Sequence, residues 1–142
     1  VSLPSNAMPI PAYHMVPVVG EIACGTPILA EENIDGYEPR PDFVHADFCL
    51  RCHGDSMINA NIHDGDIVFV KAQPEVENGQ IAAVQIDDGD SYNATLKRFY
   101  RNGDTVTLMA ENPSVAPMTF IKDEINKIHI AGRAVCCLSK IK

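Results

Sequence analysis

The sequence predicts an all-β fold, because short apolar runs alternate with turn sequences along most of the chain. The runs, rich in β-branched, aromatic and small apolar residues, lie at 48–52, 67–70, 81–86, 91–100, 105–109 and 125–138. The turns, each with glycine after Asp or Asn, lie at 63–66, 77–80, 87–90 and 101–104. Glycine there supplies the positive φ that tight turns need. A spacing of about ten residues between turns is typical of a β-meander or barrel. We therefore predict twisted antiparallel sheets in a small barrel-like arrangement.

Individual elements follow from local pattern. Ile67–Val70 is a continuous β-branched and aromatic run, as expected for a strand that is buried on both faces, and 81–86 is a second such run. Thr105–Met109 fits a shorter strand. Only Ser56–Ile62 leaves room for a helical turn, which would begin just after Gly54 and Asp55.

Length and composition describe one ordinary domain. The 142 residues are 46% apolar and 21% charged, which suffices for a buried core without disulfides or metals. No apolar run approaches the roughly 18 residues of a membrane helix, and no basic and apolar leader opens the chain. The odd number of cysteines, five, then favours a reduced, cytoplasmic protein.

The net charge argues against direct nucleic-acid binding by this chain. Eleven Lys and Arg residues stand against nineteen Asp and Glu residues, for a formal charge of −8. Such a surface repels phosphate groups. Any contact with DNA would therefore fall to another part of a longer protein.

The first 17 residues differ in composition from the rest. They carry four of the ten prolines and no Lys, Arg, Asp or Glu. Proline fixes φ and removes a hydrogen-bond donor, so this stretch is predicted to be a linker or arm. The domain would then span residues 18–142. Residues 5–8 also resemble a cloning scar.

The tetrapeptide Gly54-Asp55-Ser56-Met57 is the first candidate for chemistry. It follows the predicted strand 48–52 and opens the short helical turn. A serine at such a point exposes its hydroxyl beside free backbone N–H groups, as a nucleophile with an oxyanion site requires. The alternative is a plain helix N-cap made by Asp55 or Ser56, which is the commoner use of these residues.

A serine nucleophile needs a base, and Lys97 is the best candidate. None of the five histidines stands in a recognisable triad pattern, although His53 is adjacent to the motif. Lysine serves as a base where burial lowers its pKa. Lys97 lies inside the strand-like run 91–100, whereas Lys71 lies at the end of its strand and is a weaker candidate. The alternative is a solvated strand lysine.

The cysteines are interpreted as core residues. Cys49 and Cys52, with Cys136 and Cys137, could in number supply four thiolates to zinc. In a strand, however, residues i and i+3, or adjacent residues, point to opposite faces. We therefore expect small apolar packing from all four and neither a metal nor a cofactor.

Cys24-Gly25 is the last feature of interest. It lies in an extended stretch between the arm and the first β segment, and a small residue followed by glycine fits easily into a peptidase cleft. The alternative is an ordinary loop with a glycine turn.

Together these features resemble the self-cleaving domain of LexA-like repressors, phage CI-type repressors and UmuD-like mutagenesis proteins. The resemblance covers Val16 to Leu138. The segments that carry it, in family order and spacing, are Ala23-Cys24-Gly25 with Pro27 to Ala30, Asp47-Phe48-x-Leu50-Arg51, Gly54-Asp55-Ser56-Met57, Ile62-x-Asp64-Gly65-Asp66, Asn78-Gly79-Gln80, Leu96-Lys97-Arg98-Phe99, Glu111-Asn112-Pro113 and Gly132. It implies the mainly β fold shared by LexA and signal peptidases.

The resemblance also implies roles. Ser56 would be the nucleophile, Lys97 the general base, and Cys24–Gly25 the bond cut in the same chain, where the family more often has Ala-Gly. Met57 would pack beside the cleft, and backbone N–H groups near Ser56 would stabilise the oxyanion.

The same resemblance implies partners. It implies a homodimer, activation by a RecA–single-stranded DNA filament in the SOS response to DNA damage, and DNA binding through an N-terminal helix-turn-helix domain outside this chain. The alternatives are a UmuD-like mutagenesis protein, a signal-peptidase-like enzyme, and a catalytically silent dimerisation module.

Overall fold

Strands dominate the computed structural model, which describes residues 14–22, 26–87 and 94–139. The strands within these ranges are β1 (His14–Val19), β2 (Ile34–Arg40), β3 (Phe48–Arg51), β4 (Ile67–Ala72), β5 (Ile81–Ile86), β6 (Ala94–Asn102), β7 (Thr105–Met109), β8 (Met118–Ile121) and β9 (Ile128–Leu138). The same ranges contain three short 3-10 helices, Glu31–Asn33, Ile58–Ala60 and Lys122–Lys127. The mainly β class is confirmed. In the described part of the chain, no helix is long and apolar enough to cross a bilayer.

One mixed sheet contains these strands, in the order β2-β1-β3-β4-β9-β5-β6-β7-β8. All neighbours pair antiparallel except β1 and β3, which run parallel over Val18 and Val19. The sheet does not close, so β2 and β8 remain as edges. The barrel-like arrangement is thus an open, curled sheet with one parallel pair.

The sheet curls because side chains from strands that are separated in it pack into one core. One buried cluster gathers side chains from β1, β3, β4, β5 and β6, although three strands separate β3 from β6 in the sheet order. A second cluster covers the other face of β3 and β4, and a third lies between β5, β6 and β7. β4 is therefore buried on both faces, with Val68 and Val70 in the first cluster and Ile67 and Phe69 in the second. This explains its continuous apolar run.

The predicted turns have the expected geometry where they are described. Gly65, Gly79 and Gly103 adopt φ of 88°, 90° and 60°. The fourth turn, 87–90, lies largely outside the described residues. β1 begins at His14, inside the stretch whose prolines predict an arm, and pairs Pro17 opposite Tyr37 of the edge strand β2.

Candidate active site

Ser56 lies in a tight turn between β3 and β4. Gly54 precedes it with φ of 83°, and the Ile58 N–H donates to the Asp55 carbonyl at 3.1 Å, which closes the turn around Ser56. The 3-10 helix Ile58–Ala60 follows directly, as the helical turn predicted for this segment. Ser56 is half-buried, and Met57 is buried in the first core cluster. The turn thus anchors itself through Met57 and leaves the serine hydroxyl at its surface.

Residues of the next turn brace this loop from one side. The Gly54 N–H donates to Asp64 Oδ1 at 2.7 Å, and the Gly65 N–H donates to the Cys52 carbonyl at 2.8 Å. The Cys52 N–H donates in return to the Asp66 carbonyl at 2.8 Å. The Asp64-Gly65-Asp66 turn therefore fixes the backbone on the approach to Ser56.

The Asp66 side chain is itself held in place. It is buried, and its carboxylate accepts the His63 N–H at 2.8 Å and the Cys137 thiol at 3.4 Å. Burial alone would raise the pKa of Asp66, but hydrogen bonds from His63, Ser139 and Cys137 hold it below its usual value. Asp66 is therefore a charged anchor for the turn.

Asn112 braces the Ser56 loop from the other side. Its Nδ2 donates to the Asp55 carbonyl at 3.0 Å, one residue before Ser56. The neighbouring Glu111 accepts the Asn59 N–H on its carbonyl at 2.8 Å, and its carboxylate pairs with Arg98. Arg98 follows Lys97 in β6, so this network connects the strand of the lysine to the loop of the serine.

Lys97 is buried in the middle of β6, with 8% of its surface exposed. Its Nζ donates to Thr95 Oγ1 and to the Leu96 carbonyl, both at 3.2 Å. Burial lowers the pKa of this amine below the usual lysine value, and interaction with the Cys52 thiol offsets this only in part. β6 is covered on both faces here, since Leu96 belongs to the first core cluster and Phe99 to the third. A lysine between them cannot reach bulk water easily.

A cavity of about 520 Å³ connects the two regions. Its walls come from the end of β1, from β2, from the chain between β3 and the Ser56 turn, and from the start of β6. Ser56 and Met57 line it together with Thr95 and Leu96, whose oxygen atoms accept the hydrogen bonds of the Lys97 amine. The structure therefore brings the predicted serine and the wall that holds the predicted lysine to one cavity.

The predicted cleavage site, Cys24 and Gly25, lies outside the described residues, but both flanks are described. On the amino side, Ile22 is buried in the same cluster as Met57, and Glu21 lines the cavity. On the carboxyl side, the hydroxyl of Thr26 accepts a hydrogen bond from Asn33 at 3.0 Å. The chain on each side of the predicted site is thus held by the folded domain, through the core at Ile22 and through Asn33 at Thr26.

The interpretation of Cys49 and Cys52 as core residues is confirmed. They are buried in different clusters, Cys52 in the first and Cys49 in the second. Cys137 and Cys136 are half-buried and divide between the same two clusters. Burial raises the pKa of Cys49 to about 12 and contributes most to raising that of Cys137 to about 12. These thiols are neutral packing groups.

Comparison with known proteins assigns the family. Residues 17–135 match the family described as Peptidase S24-like, so the chain belongs to that family of peptidases. Its curated relatives include LexA repressors. That of Syntrophomonas wolfei is 43% identical over 129 residues, which is 89% of this chain and 59% of the relative. That of Leptospira interrogans is 40% identical over 119 residues, 81% of this chain and 56% of the relative.

The match covers only part of the length of each relative. A third LexA repressor, from a Nocardioides species, is 46% identical over 112 residues, 77% of this chain but 44% of the relative. The chain spans about half the length of the curated relatives it matches.

Sequence reasoning gave no individual role to Asp64, Asn112 or Asn33, whose contacts support the site. Asp64 and Asn112 stand in segments that carried the family resemblance, and that signal could have drawn attention to them. Asn33 stands outside those segments. Its burial and hydrogen bonds appear only in the folded chain.

Asn112→Ala is expected to slow cleavage as well as to weaken the fold. It removes one hydrogen bond to Asp55 and one from the Ser114 N–H, about 1 kcal/mol of stability each. Asn78→Ala is a matched control, because Asn78 also donates to one carbonyl and accepts one N–H, both of Arg101. Urea unfolding should show similar losses for both variants. The rate of self-cleavage should fall only for Asn112→Ala. If both variants cleave at the same rate, Asn112 has no specific role at the site.

Proposed function

We propose that this chain is the self-cleaving domain of a LexA-type repressor and that a Ser56–Lys97 dyad cuts its own Cys24–Gly25 bond. The observation that carries the proposal is the burial of Lys97, which lowers the pKa of its amine, against residues that share a cavity with Ser56. A lysine whose pKa is lowered is neutral more often and can then act as a general base. Membership of the Peptidase S24-like family supports the same chemistry.

The proposed reaction has two stages. The neutral Lys97 amine takes the proton of the Ser56 hydroxyl, and Oγ attacks the carbonyl carbon of Cys24. Backbone N–H groups of the Ser56 turn stabilise the oxyanion. The C–N bond then breaks as Lys97 returns the proton to the amine of Gly25, which leaves an ester between Cys24 and Ser56. Water, deprotonated by Lys97, hydrolyses this ester and regenerates the serine.

Because the substrate bond is in the same chain, a Ser–Lys dyad can cleave it without a high-affinity substrate site. Ile22 is buried in the same cluster as Met57 and Thr26 is hydrogen-bonded to Asn33, so both flanks of the proposed substrate bond belong to the folded domain. An intramolecular reaction of this kind needs no substrate affinity, because its effective concentration is set by the chain. No carboxylate is required to orient the base in a Ser–Lys dyad.

The repressor setting follows from the relatives, which are LexA repressors. In that setting the cut separates a DNA-binding segment from this domain and so ends repression. The partners we propose are a second copy of the chain, as a homodimer, and a RecA–single-stranded DNA filament as activator during DNA damage. The location we propose is the cytoplasm. The names of these relatives favour the repressor over a UmuD-like mutagenesis protein.

The experiment is a mass measurement on the purified chain, incubated at mildly alkaline pH to increase the neutral fraction of Lys97. We expect two fragments, residues 1–24 and 25–142. The first-order rate constant should stay unchanged over about a hundredfold dilution, because the reaction is intramolecular. A cut at another bond, or a rate constant that falls on dilution, would contradict the proposal. An uncut chain in the presence of RecA filaments would do so too.

A further inference from the structure

Asn33 is a buried polar side chain outside the dyad. It ends the 3-10 helix Glu31–Asn33, just before β2, and only 1% of its surface is exposed. A buried amide needs hydrogen-bond partners, since leaving it unsatisfied costs about 1–3 kcal/mol. The hydrogen-bond partners of Asn33 indicate its role.

The Asn33 amide binds the segment that follows the proposed scissile bond. Its Nδ2 donates to Thr26 Oγ1 at 3.0 Å and to the Pro27 carbonyl at 2.9 Å, with a longer contact of 3.4 Å to the Ile28 carbonyl. Thr26 is the residue directly after Gly25. One side chain therefore contacts three consecutive residues on the carboxyl side of the bond.

The Asn33 backbone binds the segment that precedes the bond. Its carbonyl accepts the Gly20 N–H at 2.9 Å. Gly20 and the adjacent Glu21 line the cavity of Ser56. One residue thus fixes both Gly20 and Thr26, and only five residues, 21–25, lie between these two points.

We infer that Asn33 is a positioning residue for self-cleavage, which holds the carboxyl side of the Cys24–Gly25 bond at the cavity of Ser56. The inference rests on the proposed function. Loss of the amide removes these hydrogen bonds to residues 26–28, so we expect the substrate segment to be positioned less precisely for attack by Ser56. A displacement of about 1 Å can cost a reaction about a hundredfold.

The test distinguishes an effect on the position of the substrate segment from an effect on the reactivity of Ser56. Asn33→Asp keeps the shape of the side chain but removes the Nδ2 donor. We expect self-cleavage to fall at least about tenfold. Labelling of Ser56 by a small fluorophosphonate should keep its wild-type rate, because the described hydrogen bonds of Asn33 run to Gly20 and to residues within 26–30. Asn102→Ala, at the exposed end of β6, should change neither rate.

Thr26→Val is the second variant, because a buried aspartate could unfold the chain. It removes one acceptor and leaves the Asn33 amide in place, so cleavage should fall several-fold with labelling unchanged. Normal cleavage in both variants would overturn the inference. Equal losses of cleavage and labelling would also overturn it, because they would indicate a purely structural role. A wild-type chain that neither cleaves nor labels would instead refute the proposed function, and this inference with it.

Discussion

Lys97→Met is expected to abolish self-cleavage at Cys24–Gly25, with a rate loss of about a thousandfold or more. Methionine fills a similar volume but has no amine to take the Ser56 proton. Ser56→Ala should be equally inactive, because neither half of a dyad works without the other. Fragment masses after incubation measure both. Lys71→Met is the matched control, since Lys71 is exposed on β4 and should be dispensable.

The pH dependence supplies a second readout of the same prediction. Only the neutral amine is a base, so the wild-type rate should rise with pH and level off above the pKa of Lys97. Burial lowers that pKa, so the midpoint should lie below the usual lysine value. Residual cleavage in Lys97→Met should lack this midpoint. Undiminished cleavage in Ser56→Ala would show that the dyad is wrong.

Lys97 should also make the free energy of unfolding depend on pH. Because its pKa is lower in the folded chain than in the unfolded chain, the unfolded chain binds more protons between these two values. The free energy of unfolding contributed by Lys97 should therefore rise with pH across that window and be lost as pH falls. Urea unfolding at several pH values should show this slope in wild type and in Lys71→Met, but not in Lys97→Met.

Gly132→Ala is expected to destabilise the fold by about 3 kcal/mol, near the upper end for overpacking. β9 lies between β4 and β5, and a Cβ at Gly132 would stand 2.2 Å from the Lys71 carbonyl oxygen and 2.7 Å from Val70 Cγ1. The nearest atom belongs to the backbone, so a strand must shift to make room. The midpoint of urea unfolding measures the loss.

The control for this prediction lies on the same strand. His129 is exposed on β9, three residues before Gly132, and His129→Val should be nearly neutral. β-branched residues suit strands, so added bulk by itself is no problem there. If Gly132→Ala were as stable as wild type, the close approach of β9 to β4 would be wrong.

Local patterns predicted the central strands well. The runs 81–86 and 105–109 coincide with β5 and β7, and the continuous run 67–70 with the buried part of β4. β1, β2 and β8 were not predicted. β2 is an edge strand containing Gly36 and Pro39, and such residues are tolerated where only one side of a strand is paired. The pairing of β1 with β2 and β3 depends on segments elsewhere in the chain, which local propensity does not specify.

The serine turn likewise has features that local sequence predicts and contacts that it does not. The stretch 56–62, left without a strand pattern after Gly54 and Asp55, predicted a helical turn there, and the positive φ of Gly54 is a local preference. The alternative of a plain N-cap by Asp55 or Ser56 is wrong, because the 3-10 helix begins after Met57 without a side-chain cap hydrogen bond. The bonds that brace this turn come from Asp64 and from Asn112, 57 residues beyond Asp55. No local pattern specifies such partners.

The sequence by itself therefore determined the β class, the turns and the candidate residues, since periodicity and turn chemistry are properties of neighbouring residues. Alternation along β6 could not distinguish a solvated Lys97 from a buried one. Only the tertiary structure decided that, because the curl of the sheet covers both faces of β6 and brings β3 and β6 to one cavity across three intervening strands. Burial is a collective property of the packed sheet, and it is burial that lowers the pKa of Lys97.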